Sequence, residues 1–176
     1  MTARRGGPAG PVRAGRGRAA PAAGAARART RPVSGPARAG DGRMDARALM
    51  REAVAARARS HSPYSRFPVG AALLTTSGRV FHGCNVENAS YGLTCCAERN
   101  AVFAAVAEGE RSFTAVAVTA RAGAGAPPCG ACRQVLAEFS PDLWVYWRDT
   151  RGRMLRKRLS ALLPDQFVLR PGSKAR

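Results

Sequence analysis

The chain has 176 residues and a formal net charge of +18, a length that suits one ordinary domain with something added. No apolar run approaches the ~20 residues that a membrane-spanning helix needs, and no secretory apolar segment precedes the patterned region, which argues against integral-membrane and secreted classes. The cysteine count is odd, at five, which disfavours a closed disulfide framework and points to a reducing compartment, the cytoplasm.

The charge is unevenly placed. Residues 1–43 carry ten Arg and one Asp, and Ala, Arg, Gly and Pro make up 36 of those 43 positions. Such a segment buries too little apolar surface to offset its ordering entropy and reads as a disordered basic extension. Three accounts of it compete: a nucleic-acid-binding arm, a targeting peptide, or a stretch outside the translated protein, with synthesis starting at Met44. The last is favoured because globular patterning begins only there. The catalytic domain is accordingly expected at 44–176.

Residues 45–60 contain no Gly or Pro, and Leu49, Ala53 and Ala56 share a face with Met50 and Val54 beside them. This predicts an amphipathic helix with Asp45 at its start. Pro63 ends the pattern. Strands are expected at 69–75 and 79–87, joined by the Ser77-Gly78 turn into an antiparallel hairpin. A second helix over 96–108 would turn Val102, Phe103 and Val106 to the core and stop at Gly109. A buried strand over 113–120, a loop over 121–128 and a helix over 129–139 follow. Strands at 143–147 and 154–159 and a short helix at 160–163 complete the chain. Helices alternating with strands in this order imply an α/β sandwich, with helices on both faces of one mixed sheet.

The chemistry concentrates in Cys96-Ala97-Glu98 and Pro128-Cys129-Gly130-Ala131-Cys132. Cys96, Cys129 and Cys132 offer three thiolates to one Zn²⁺ and leave a fourth tetrahedral position for water, with Glu98 close enough to handle that water's protons. Both ligand groups fall at expected helix N-termini, where free N–H groups favour thiolates. Three thiolates on zinc leave a net charge of about −1. A withdrawing contact is therefore expected, from Arg99 in preference to Arg133. A closed four-cysteine structural site competes with this reading. It needs Cys84 or Cys95 as fourth ligand and leaves Glu98 without a role.

The wider motifs resemble those of the small, homotetrameric cytidine deaminases. They are Ser62-Pro63-Tyr64-Ser65-Arg66-Phe67-Pro68-Val69-Gly70-Ala71-Ala72, then 85–94 from Asn85 to Thr94, then Pro128-Cys129-Gly130-Ala131-Cys132-Arg133-Gln134, and finally Leu162-Leu163-Pro164 with Phe167. The metal pattern itself is the known zinc-deaminase signature with Cys in place of His. The resemblance implies a three-layer α/β/α sandwich around a mixed five-stranded sheet. It implies one Zn²⁺ per subunit on Cys96, Cys129 and Cys132, with Glu98 as the proton shuttle. Asn85 and Glu87 would bind the ribose 3′-hydroxyl, Phe67 would pack on the pyrimidine, and Tyr91 and Phe167 would reach a neighbouring subunit's site in a homotetramer. The implied reaction is deamination of cytidine and 2′-deoxycytidine to the uridine products and ammonia, as in pyrimidine salvage. Cys95, beside a ligand, departs from the family's usual pattern. A deaminase of the blasticidin S type shares the zinc motifs. A polynucleotide-editing enzyme is the other rival, but half the charge lies in the extension and the linear sequence shows no single-strand groove. Nucleic acid is therefore not expected as a partner.

Overall fold

The structure is a computed structural model that describes residues 45–121 and 124–169; the expected extension 1–43 lies outside them. Helix α1 (Ala46–Arg57) is followed by β1 (Val69–Thr75), β2 (Val80–Cys84), a 3-10 turn (Tyr91–Leu93), α2 (Ala97–Ala107), β3 (Phe113–Ala120), α3 (Gly130–Phe139), β4 (Trp144–Arg148) and β5 (Met154–Arg158). The strands form one five-stranded sheet in the order β2-β1-β3-β4-β5. Only the β3–β4 pair is parallel; the others are antiparallel. The sheet is thus mixed, and α3 supplies the crossover that a parallel pair requires.

Asp45 caps α1, accepting from the Arg47 N–H at 3.2 Å. The helix stops three residues short of the expected end because the chain is drawn into another pairing. His61 N–H donates to the Asn85 carbonyl, and Glu87 N–H donates back to the His61 carbonyl. The same pull shortens β2. After Cys84 the backbone leaves the sheet, and Val86 is bridged by His61 on one side and Cys95 on the other.

The sheet separates two apolar layers. Leu49, Met50 and Ala53 of α1 pack on Ala72, Leu74, Val80 and Ala117. On the other face Ala97, Ala101, Val102 and Ala105 of α2, with Leu136 of α3, pack on Ala71, Leu73, Val116, Val118 and Val145. Two glycines let the helices come close. A Cβ on Gly70 would stand 2.2 Å from the Ala53 carbonyl oxygen of α1, and one on Gly83 would stand 2.0 Å from that of Ala97 in α2.

Two expectations are corrected. Phe103 does not face the core and is 51% exposed. The buried stripe of α2 runs through Ala97, Glu98, Ala101, Val102 and Ala105, because the approach at Gly83 admits small side chains there, and Phe103 lies one residue off that stripe. Residues 160–163 form successive turns instead of a helix, closed by Ala161, Leu162 and Leu163 N–H groups on the Arg158 and Leu159 carbonyls. Pro164 prevents the segment from propagating further. No helix among the described residues is long and apolar enough to cross a membrane.

Candidate active site around a three-cysteine cluster

Cys96 is the N-cap residue of α2 and Cys129 that of α3, with Cys132 in the first turn of α3. The α2·α3 packing brings these two helix starts together. The three sulfurs lie within 4.8 Å of one another. Cys96 and Cys129 sulfurs are 3.9 Å apart, and those of Cys129 and Cys132 are 3.5 Å apart. Sulfurs bound tetrahedrally to Zn²⁺ at 2.3 Å would be separated by about 3.8 Å. The donor set and its spacing therefore fit one zinc ion per chain. Cys84 and Cys95 do not join the cluster.

Arg99, one turn beyond Cys96, donates to its sulfur at 3.5 Å and to the Thr94 carbonyl at 3.0 Å. Arg133 does different work, tying the Pro128 carbonyl to the Leu162 carbonyl at 2.8 and 2.9 Å. The thiols share protons unevenly. The Cys96 sulfur is pushed down to about 5, first by the hydrogen bond it takes from Cys132 and then by Arg99, against the opposing effect of burial. Cys132, which donates that bond and is itself buried, is pushed far up. Cys95 is raised by burial.

Glu98 is 5% exposed. Burial raises its carboxyl to about 7, and the negative Cys96 sulfur adds to the rise. It opens onto a cavity of about 430 Å³ that is also lined by Phe67, Asn85, Glu87, Cys96 and Cys129. Six of the residues singled out by sequence thus meet in one place, with Cys132 buried behind them.

A family model for the cytidine and deoxycytidylate deaminase zinc-binding region matches residues 43–148. The chain belongs to the cytidine and deoxycytidylate deaminase family. As a member it is an enzyme, a hydrolase with zinc at its centre. It is 52% identical to a cytidine deaminase of Halalkalibacterium halodurans over 71% of this chain and 96% of that one. It is 48% identical to one of Sporosarcina psychrophila over 70% of this chain and 92% of the other. A crystal structure of cytidine deaminase from Burkholderia pseudomallei, 50% identical, superposes with a TM-score of 0.67, covering 70% of this chain and all of that one.

The deaminase cavity is braced by residues that sequence reasoning left without a role. Asn85 Oδ1 accepts from Val69 N–H at 2.7 Å and from the Ser60 hydroxyl at 2.6 Å, while its Nδ2 donates to the Phe67 carbonyl at 2.9 Å. Glu87 Oε2 accepts from the Tyr64 and Ser65 N–H groups at 2.9 and 3.2 Å, and Oε1 from the Ser65 hydroxyl. These bonds, the Ser65 hydroxyl first, hold the Glu87 carboxyl below its ordinary range. The Ser65 hydroxyl also receives the Phe67 N–H. Ser60 and Ser65 therefore set the positions of Asn85, Glu87 and Phe67. Ser60 lies just before the 62–72 motif and Ser65 within it, and only the folded pairing of 60–67 with 85–87 reveals their partners.

Tyr91 and Phe167 do not line the cavity of their own chain. They are 72% and 70% exposed. Phe167 is nonetheless fixed, since the Gln134 side chain accepts its N–H at 3.2 Å and donates to its carbonyl at 2.8 Å.

Proposed function

We propose that the chain catalyses hydrolytic deamination of cytidine and 2′-deoxycytidine to uridine and 2′-deoxyuridine, releasing ammonia, and that it serves pyrimidine salvage. The observation that carries this reading is Glu98, buried beside three clustered sulfurs in the same cavity as Phe67, Asn85 and Glu87.

Cys96, Cys129 and Cys132 would hold the zinc, which when bound supplies a water made acidic enough to act near neutral pH. Glu98 moves the protons. It takes the two protons of the attacking water in turn: the first goes to ring N3, so that C4 becomes electrophilic, and the second, from the hydroxyl now on C4, goes to the 4-amino nitrogen, which departs as ammonia as the C4–N bond breaks. Water supplies the oxygen gained at C4. Arg99 draws charge from Cys96 and so moderates the electron donation of three thiolates. Phe67 packs on the pyrimidine face.

Sugar recognition follows from the bonds left over. Asn85 Oδ1 has both acceptor positions taken and Nδ2 has one N–H uncommitted. Glu87 Oε1 accepts one bond and has capacity for another. Together they offer one donor and one acceptor, the complement of a single hydroxyl. A site of this kind discriminates strongly against an analogue without that hydroxyl, which fits the 3′-hydroxyl common to both nucleosides.

Exposed Tyr91 and clamped, exposed Phe167 fit an assembly in which each reaches a neighbour's cavity, a homotetramer with shared sites. The free thiols of Cys96, Cys129 and Cys132 suit a reducing compartment, the cytoplasm. Residues 1–43 are read as an extension without a part in the reaction, with the catalytic domain at 44–176. An ultraviolet assay of the full chain against cytidine, deoxycytidine, CMP and dCMP, with zinc counted in the same sample, tests the proposal. Loss of nucleoside absorbance with one zinc per chain is expected. One zinc per chain with neither nucleoside turned over would overturn it.

A further inference from the structure

The sheet is covered unequally. Helix α1 packs over β1, β2 and β3 and only touches β4, and no described helix packs extensively on β5. On this half of the face the β4–β5 pairing sets Trp144 opposite Arg158, Tyr146 opposite Arg156 and Arg148 opposite Met154. Side chains alternate along a strand, so Trp144, Tyr146, Arg148, Arg156 and Arg158 share one surface. It is the face opposite the Glu98 cavity, since Trp144 and Tyr146 pack at the margin of the α1 layer.

The guanidinium of Arg158 lies 3.9 Å from the Trp144 ring centre and that of Arg156 lies 4.9 Å from it. Tyr146 stands 6.5 Å from Trp144 with its ring tilted by 34°. Two guanidinium groups gathered at Trp144, the Tyr146 ring beside it and Arg148 beyond therefore share a strip about 13 Å long. At its Arg148 end the strip opens into a hollow of about 290 Å³ whose wall also carries Arg57 and Arg121. Two carboxylates lie nearby. Asp142 pairs with Arg158 at 3.6 Å, and Asp149 pairs with Arg153 at 2.8 Å. Arg148 gives a hydrogen bond to the Gly152 carbonyl, and positive charge predominates.

We propose that this strip of Trp144, Tyr146, Arg148, Arg156 and Arg158 on the open β4–β5 face binds single-stranded polynucleotide. Flat bases stack on aromatic rings and on guanidinium planes, and the arginines neutralise phosphates. An acidic peptide would use the charges and leave the rings without a function. The bound strand is not the deaminated substrate, because the sheet stands between it and Glu98. The linear sequence disguised the strip: its rings and its arginines fall on two separate expected strands, 143–147 and 154–159, until the hairpin brings them together.

The test is fluorescence anisotropy of a labelled 20-mer of deoxythymidine with the full chain, at two salt concentrations. It is repeated with Arg156→Glu/Arg158→Glu and with Tyr146→Leu; the basic extension is common to all three proteins. The double reversal should weaken binding at least about tenfold and flatten the slope of log affinity against log salt by roughly 1 to 2. Tyr146→Leu should weaken the single strand more than a duplex of equal length. Each variant should deaminate cytidine at the parent's rate, which reports an intact fold. Should the reversal fail to fold, Arg156→Gln/Arg158→Gln is read by the same criteria. Affinity unchanged by the reversal at both salts would place the binding elsewhere and overturn the proposal. Competition by polyglutamate as effective, charge for charge, as that by the oligonucleotide would also overturn it, pointing to an acidic protein instead.

Discussion

Gly83 in β2 and Ala97 in α2 meet backbone to backbone, so that a single added methyl would stand 2.0 Å from the Ala97 carbonyl oxygen and 2.5 Å from the Ala101 nitrogen. Neither atom can rotate away. Ala97 lies between Cys96 and Glu98, so this contact fixes how far the zinc-facing end of α2 sits from the sheet.

Gly83→Ala should therefore displace α2 and destabilise the fold by roughly 3 kcal/mol, as overpacking in a tight core does. It should also weaken zinc binding, since Cys96 moves relative to Cys129 and Cys132. Gly70→Ala meets α1 equally closely, on the face away from the sulfurs, and should lower the melting temperature with a smaller change in zinc affinity. Chelator competition on both variants, alongside thermal melts, separates the two effects. Equal zinc affinity in Gly83→Ala and the parent would show that α2 is not positioned from β2.

Glu98→Gln should keep one zinc per chain and lose turnover by about 10²–10⁴, the usual contribution of a positioned proton-transfer group. Cys129→Ala should lose both metal and activity. Metal analysis beside the cytidine assay distinguishes the two phenotypes, and a fully active Glu98→Gln would remove the carboxylate from the mechanism.

The pH dependence of sugar recognition should follow Glu87. Its carboxyl is held below the ordinary value of 4.5 by Ser65 and the Tyr64 and Ser65 N–H groups. A lowered folded-state value means that the carboxylate's stabilising contribution is present above the unfolded value and lost as pH falls through the lower folded one. The ratio of uridine affinities in the parent and Glu87→Gln should thus stay constant from neutrality down to about 4.5 and collapse only below it. A ratio that falls between pH 6 and 5 would mean the clamp on Glu87 is not effective.

Shared sites can be tested by mixing defects. Phe167→Ala and Glu98→Gln should each be poorly active alone. Dissociated and reassociated together, they should recover part of the activity, because a site with Glu98 intact from one chain can receive Phe167 from the other. If reassociated mixtures that contain both chains stay as inactive as the separate proteins, Phe167 serves only its own chain.

The parts legible in the sequence were those encoded over short distances. Cys129 and Cys132 sit one helical turn apart, and Cys96 and Glu98 bracket a helix start, so spacing alone placed each group. The apolar character of 113–120 and the Ser77-Gly78 turn marked β3 and the β1–β2 hairpin for the same reason. What escaped depends on pairings across the chain. Asn85 falls in the expected strand 79–87 with no partner visible in the sequence, and in the fold Ser60, Phe67 and Val69 take most of its hydrogen bonds. Phe103 looks like core until the close approach at Gly83 selects a stripe of small residues. Residues 160–163 have helical composition but too few positions before Pro164 to sustain a helix.

Helix α3 carries Cys129 and Cys132 at one end and, through the side chains of Arg133 and Gln134, grips Leu162 and Phe167. A single rigid rod thus mounts both the metal and the aromatic that a neighbouring chain would use. In the proposed homotetramer, any tilt of that rod when the sulfurs change partner would be transmitted to Phe167, so that the metal content of one chain would be felt by the next.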